Sequence, residues 1–196
     1  MTMRRVYVLG GSGDGALPAF GFAAEEVGRL LADNGLRLVY SGSGRGRSGA
    51  LAEAALARGG AVEGIIARAD LQRDPPRAGL TELVVAETEA ERDAMLRARA
   101  DAVLALPAGM QSLRELEPIC GTGSGAGQKP CGLLNTGDFY TGLLKTADDD
   151  MLELFARESQ RGMLIVERDP ATLLRAMAEF RPPETRRLER REDQEW

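Results

Sequence analysis

The chain has 196 residues, of which 43% are hydrophobic and 28% charged, and its formal net charge is −5. This length suits one α/β domain with a full core, and the negative charge gives no electrostatic reason to expect nucleic acid or an anionic membrane as a partner. Histidine is absent, which excludes Ser-His-Asp and Cys-His catalysis and zinc sites with histidine ligands.

Short apolar runs of strand length alternate along the chain with segments of helical periodicity. The predicted strands are Val6–Leu9, Leu36–Tyr40, Val62–Ala67, Glu82–Ala86, Ala102–Leu106, Cys131–Asn135 and Met163–Val166. The predicted helices are Phe20–Asn34, Ala50–Arg58, Glu89–Ala100, Leu113–Ile119, Phe139–Phe155 (one helix or a broken pair) and Asp169–Phe180. This alternation predicts parallel βαβ units in an α/β, doubly wound, mostly parallel Rossmann-like sheet flanked by helices.

Composition also indicates domain limits and compartment. Residues 1–181 are predicted to form a single domain and residues 182–196 a charged tail. Cys120 and Cys131 lack CxxC spacing and are predicted to be free thiols rather than a disulfide. Only four apolar residues separate Arg5 from the first glycine, too few for a secretory leader, so we expect a cytoplasmic protein.

Glycine-rich turns follow three of the predicted strands. They cover residues 10–15, 41–49 and 107–111. Because parallel strands end at one edge of their sheet, these turns predict a ligand site at the carboxyl edge.

The third turn leads into a helix start. Ser112 stands three residues before Glu115, which is the spacing of a capping box. Strand, tight loop and helix N-terminus together form a geometry that binds anions, because the first helical N–H groups have no partner within the helix. Glu115 is therefore either a capping residue or a carboxylate placed for chemistry, and the two roles are compatible.

Several blocks resemble the LONELY GUY family, often labelled "lysine decarboxylase-like", of Rossmann-type nucleoside 5′-monophosphate phosphoribohydrolases that includes enzymes releasing free cytokinins. The blocks are Leu38–Tyr40 running on to Gly64-Ile65-Ile66, Arg92 within residues 91–95, Pro107–Glu115, and Lys129–Asn135. The resemblance implies a small-molecule substrate, a homodimer, and no metal ion or cofactor.

The resemblance also implies which residues form the site. Glu115 and Arg92 match the family's catalytic pair, although Arg92 is also interpretable as a solvated helix residue, and Arg45 and Arg47 as exposed loop arginines. The residues expected to bind substrate are Gly11, Ser12, Gly42, Ser43, Arg45, Arg47, Pro107, Ala108, Gly109, Met110, Gln111 and Ser112.

The chain departs from the family pattern where the family binds phosphate. Ala108 and Gln111 replace glycines of the PGGxGTxxE motif, and Asp93 replaces the lysine after the family's arginine. A Cβ at a position that needs positive φ costs roughly 1 kcal/mol, which predicts a loop of changed shape. The leading interpretation is an N-glycosidic hydrolase with altered substrate recognition. The alternative is a non-catalytic carrier of a nucleotide or phosphorylated cofactor, a role some relatives have for the molybdenum cofactor.

Overall fold

Seven parallel strands form one sheet in the order β4-β3-β2-β1-β5-β6-β7. The structure is a computed structural model that describes residues 3–11, 13, 17–109, 115–116, 129–145 and 164–181. The strands are β1 Arg5–Leu9, β2 Arg37–Tyr40, β3 Val62–Ala67, β4 Glu82–Ala86, β5 Ala102–Ala105, β6 Cys131–Leu134 and β7 Leu164–Glu167. Every strand pair is parallel, which confirms the predicted doubly wound α/β fold.

The described part of the chain has five α-helices, four between strands and the fifth after β7. They are α1 Pro18–Asp33, α2 Gly46–Ala57, α3 Glu89–Arg99, α4 Phe139–Leu144 and α5 Pro170–Glu179. Glu115 and Leu116 are also helical. Among the described helices, none is long and apolar enough to cross a membrane.

The core has two halves, one on each face of the sheet. Because successive strand residues point to opposite faces, Val6 and Val8 of β1 belong to the half packed against α1, α2 and α5. Tyr7 and Leu9 belong to the half on the other face, with Leu96 of α3. The side chain of Tyr7 therefore lies on the α3 side of the sheet.

Close contact between α1 and α2 depends on Gly28. A methyl group there would lie 2.3 Å from the carbonyl oxygen of Leu51, well inside van der Waals contact. Glycine therefore allows the two helices to approach at backbone distance, which places the N-terminus of α2 beside the turn after β1.

The structure corrects three expectations. Helix α2 begins at Gly46, four residues before the predicted Ala50, because Arg47 and Ser48 donate their backbone N–H groups to Gly13 and Gly11 of the β1 turn. These contacts satisfy helix-start donors within a segment of low helix propensity. The apolar residues Phe22, Val27, Leu30 and Leu31 stand at helical spacing in the first predicted helix, which would place Phe22 on its inward face, yet Phe22 is 66% exposed.

The third correction concerns a cysteine. Cys131 is disulfide-bonded, so the prediction of a free thiol is wrong at this position. Sequence spacing recognises local CxxC motifs and does not detect pairs that the fold brings together. Cys120, the helix predicted beyond Leu116 and the tail after Arg181 lie outside the described residues.

Candidate functional site

A cavity of about 480 Å³ opens at the carboxyl edge of the sheet. It lies where the strand order reverses between β1 and β5, the place where open α/β sheets bind ligands. Its wall comes from the turns after β1 and β2, the segment between β3 and β4, helix α3, and residues after β5.

Six of the predicted site residues line this cavity. They are Gly11, Ser43, Arg45, Ala108 and the predicted catalytic pair Arg92 and Glu115. Gly42, Arg47, Pro107 and Gly109 are described but are not part of its wall. Ser12, Met110, Gln111 and Ser112 lie outside the described residues. The fold therefore brings together residues that are up to about a hundred positions apart in the chain.

Arg92 is held between two carboxylates. Its Nε and Nη2 donate to Oδ1 of Asp93 over 3.0 and 2.9 Å, and its Nη1 donates to Oδ2 of Asp70 over 3.3 Å. Burial acts to lower the pKa of Arg92, but its hydrogen bond and charge interaction with Asp93 outweigh this and hold that pKa above its ordinary value. Arg92 therefore stays charged, and its orientation is set by carboxylates rather than left free.

The segment between β3 and β4 contributes further carboxylates to the wall around Arg92. Asp70, which is 8% exposed, also accepts a hydrogen bond from Arg73. Asp74 adds a buried oxygen, Oδ1, that makes no hydrogen bond within the part of the chain described. The described wall thus holds four carboxylates, Asp70, Asp74, Asp93 and Glu115, against three arginines, Arg45, Arg73 and Arg92.

Arg47 supports the turn after β1 rather than facing solvent. It is 6% exposed, and its Nε donates to the carbonyl oxygen of Gly10 over 3.0 Å. The next residue, Ser48, donates from Oγ to the carbonyl oxygen of Gly11 over 3.1 Å. The start of α2 therefore fixes the turn, and the interpretation of Arg47 as an exposed loop arginine is wrong.

Arg45 differs from the other arginines of the wall. It is exposed and immediately precedes α2 as its N-cap residue. Within the described residues it pairs with no carboxylate. Arg45 is therefore the cation of the described wall that an anionic ligand meets without competition from a carboxylate of the protein.

The loop after β5 keeps glycine where the backbone requires it. Gly109 has a φ of +105°, in the region that favours glycine. Ala108, by contrast, does not have a positive φ, so its methyl group causes no backbone strain. Ala108 thus avoids the strain that a positive φ would impose, and its Cβ lies against the turn after β1, 3.4 Å from where a Gly11 Cβ would be.

Four wall residues with titratable side chains were not singled out by the sequence reasoning at all. They are Tyr7, Asp70, Arg73 and Asp74. The alternation of β1 places Tyr7 on the same face as Leu9 and was available as a signal. The other three lie in a segment to which the sequence analysis assigned no helix or strand, where the spacing of three and four residues between charges could have indicated a shared helical face.

Comparison with known proteins finds a matching family model and relatives that share one activity name. Residues 48–177 match the family model described as "Possible lysine decarboxylase". A cytokinin riboside 5′-monophosphate phosphoribohydrolase of Rhodococcoides fascians is 37% identical over 86% of this chain and 86% of its own length. A probable cytokinin riboside 5′-monophosphate phosphoribohydrolase of Oryza sativa subsp. japonica is 33% identical over 90% of this chain and 79% of its own.

Solved structures share the fold at lower identity. The molybdenum cofactor binding protein of Rippkaea orientalis matches with a TM-score of 0.68 at 21% identity, covering 91% of this chain and 98% of its own. The molybdenum cofactor carrier protein of Chlamydomonas reinhardtii matches with a TM-score of 0.69 at 18% identity, covering 90% and 97%. At these identities the likeness shows the fold alone.

Proposed function

The chain belongs to the LONELY GUY family, and from this premise we propose that it hydrolyses the N-glycosidic bond of a nucleotide or nucleotide-like substrate. The observation that carries the proposal is that Glu115 and Arg92 line one cavity at the switch point of the sheet. The named relatives act on cytokinin riboside 5′-monophosphates. We expect the substrate of this protein to differ from theirs, because its site departs from the family pattern.

The proposed reaction needs a carboxylate beside the sugar. The oxygen of water bonds to C1′ as the C1′–N bond breaks, and the electron pair of that bond passes to the base, which takes up a proton from solvent. The sugar becomes positively charged as the bond stretches. Glu115 stabilises this charge and accepts a proton from the attacking water. No metal ion or cofactor takes part in this scheme.

Arg92 has a restricted role in this scheme. Because Asp93 and Asp70 occupy its Nε, Nη1 and Nη2, its charge is balanced before substrate arrives. A balanced arginine orients the substrate by its remaining N–H groups and attracts a phosphate dianion less than an unpaired one does. Altered recognition therefore follows from Asp93 as well as from the phosphate loop.

The loop residues Ala108 and Gln111 are expected to weaken binding of 5′-monophosphates. The double substitution Ala108→Gly with Gln111→Gly should tighten AMP binding roughly 10-fold, equivalent to about 1.4 kcal/mol, because it restores close approach of backbone N–H groups. Calorimetry with AMP on both proteins measures this. Tight wild-type binding that collapses in Arg45→Ala would contradict the prediction and indicate that Arg45 already grips the phosphate.

We also propose that the protein is a homodimer, as the family resemblance implies. Helix α3 carries Arg92 into the site, and beside it a charge-poor run, Ala94-Met95, leaves Ala94 exposed. Sedimentation velocity at micromolar concentration should give the mass of two chains, about twice the 21.0 kDa of one. A stable monomer under these conditions would contradict the proposal.

The alternative on the same scaffold is a carrier that binds a nucleotide or phosphorylated cofactor without turnover. The neutralised Arg92 is compatible with it, whereas the presence of Glu115 in the cavity wall favours hydrolysis. Incubating the protein with adenosine, guanosine, cytidine, uridine and their 5′-monophosphates, then separating the products chromatographically, distinguishes the two. Release of free base from at least one compound is the expected result, and binding without release would leave the carrier.

A further inference from the structure

Tyr7 is a cavity residue that the proposed reaction has not used. It lies on β1, the central strand of the sheet, where it pairs with Val39 of β2 and Val103 of β5. Its side chain reaches the cavity wall, although the residue as a whole is only 7% exposed. Across the described part of the chain, no hydrogen bond joins its hydroxyl to another group. The central sheet thus presents a rigidly placed hydroxyl to the cavity.

The other two tyrosines show what an ordinary buried hydroxyl does in this fold. The hydroxyl of Tyr140 donates to the carbonyl oxygen of Leu106, so it is structural. Tyr40 is fully buried with a hydroxyl that makes no hydrogen bond among the described residues, and it is not part of the cavity wall. Only Tyr7, among the three, combines an available hydroxyl with a place in the site.

The charges around Tyr7 determine what its hydroxyl can do. Burial raises the pKa of Tyr7, and the nearby carboxylates Glu115 and Asp93 raise it further, against the lowering effect of Arg92 and Arg97. The phenol therefore keeps its proton throughout the physiological range and acts as a hydrogen-bond donor. It is also too weak an acid to serve as the proton source for a leaving base.

Two arginines of the described wall are already engaged by carboxylates, and the third, Arg45, is a cation suited to an anionic group of the substrate. Arg92 donates to Asp93 and Asp70, and Arg73 donates to Asp70. The hydroxyl of Tyr7 is a neutral donor near Glu115, and it suits a neutral acceptor group of the substrate. A sugar hydroxyl fits this place, since it accepts a hydrogen bond from one group and donates one to another.

We propose that Tyr7 is a substrate-contacting residue whose hydroxyl donates to the ribose 2′-hydroxyl oxygen, while that hydroxyl donates to Glu115. The inference rests on the proposed N-glycosidic hydrolysis. The 2′-carbon is bonded to C1′, so a carboxylate that serves C1′ is within reach of the 2′-hydroxyl. Hydrogen bonds to this hydroxyl strengthen as positive charge develops on the sugar, which makes Tyr7 a contributor to kcat as well as to binding.

The test pairs the substitution Tyr7→Phe with removal of the 2′-hydroxyl from the substrate. The four nucleosides, their 5′-monophosphates and the 2′-deoxy form of each are assayed with both proteins. Tyr7→Phe should lower kcat/KM on the riboside at least ~10-fold and leave it nearly unchanged on the matching 2′-deoxyriboside. The preference for ribose over 2′-deoxyribose should fall by the same factor.

Tyr40→Phe is the matched control. It removes a hydroxyl from the same core, outside the cavity, and should leave the sugar preference at the wild-type value. Equal thermal midpoints for the two variants and the wild type show that the fold is intact. A loss in Tyr7→Phe that is the same for both sugars, or no loss at all, overturns the inference.

Binding measurements keep this result separate from the proposed function. Calorimetric titration of the same riboside and 2′-deoxyriboside pairs needs no turnover. Binding that shows the Tyr7-dependent sugar preference without release of base would overturn hydrolysis and support the contact. Release of base with a sugar preference that Tyr7→Phe does not change would support hydrolysis and overturn the contact. If no compound is bound or cleaved, both proposals fail.

Discussion

Glu115→Gln should lower kcat about 10³-fold, a loss within the range attributed to acid–base groups, while leaving the fold intact. Glutamine keeps the shape of glutamate and can still accept a hydrogen bond, so packing beside the buried Leu116 should persist. It carries no charge to stabilise a positively charged sugar and cannot accept a proton from water. The loss should therefore appear in kcat rather than in KM.

Single-turnover kinetics with the best substrate of the nucleoside panel measures this loss. Glu26→Gln is the matched control, since Glu26 is exposed on α1 and pairs with Arg29 over 3.2 Å, outside the cavity wall. The control should keep wild-type kcat and both variants should keep the wild-type thermal midpoint. Wild-type kcat in Glu115→Gln would restrict Glu115 to capping the helix with Ser112.

Arg99→Met should destabilise the fold by about 3 kcal/mol, at the lower end of the range for breaking a buried ion pair. Glu63 of β3 is fully buried and accepts a hydrogen bond from Arg99 of α3. Its second oxygen has no hydrogen bond within the described residues, and Arg37 lies 3.9 Å away. Removing Arg99 therefore leaves a carboxylate in the core with no hydrogen-bonded cation.

Thermal unfolding checks this prediction. A loss of 3 kcal/mol lowers the midpoint by roughly 6–12 °C for a chain of this size. The control is Arg68→Met, which removes an arginine that pairs with Glu87 at 2.6 Å, both side chains being exposed, at 61% and 64%. Exposed pairs contribute at most about 1 kcal/mol. Equal shifts in the two variants would contradict the claim that burial of Glu63 sets the cost.

Local patterns were sufficient to predict the sheet and most helices. The run Ala102–Leu106, for example, is apolar and short, and in the structure its first four residues form a strand buried on both faces. The start of α2 was not predictable from local sequence, because Gly46, Arg47 and Ser48 read as a continuation of the glycine-rich turn. The helix starts there because the β1 turn, more than thirty residues earlier, accepts the N–H groups of Arg47 and Ser48.

The wall of the cavity was predictable where a short motif supplies its residues and not where tertiary contacts do. Glu115 and Arg92 were identified from the family pattern, and both line the cavity. The hydrogen bond between Arg92 and Asp70 was not predicted, because the two residues are twenty-two positions apart along the chain. The sequence gives Arg45 and Arg47 the same interpretation, as loop arginines. The fold shows that Arg47 is buried and donates to the carbonyl oxygen of Gly10, whereas Arg45 lines the cavity.

The most direct test of hydrolysis is the stoichiometry of products from the wild-type protein in phosphate-free buffer. Each nucleoside and nucleoside 5′-monophosphate is incubated with the protein, and free base and free sugar, or sugar 5-phosphate, are quantified by mass spectrometry. The proposed function predicts that base and sugar product appear in equal amounts with multiple turnovers for at least one compound. Recovery of every compound unchanged, including those that calorimetry shows to be bound, would contradict it.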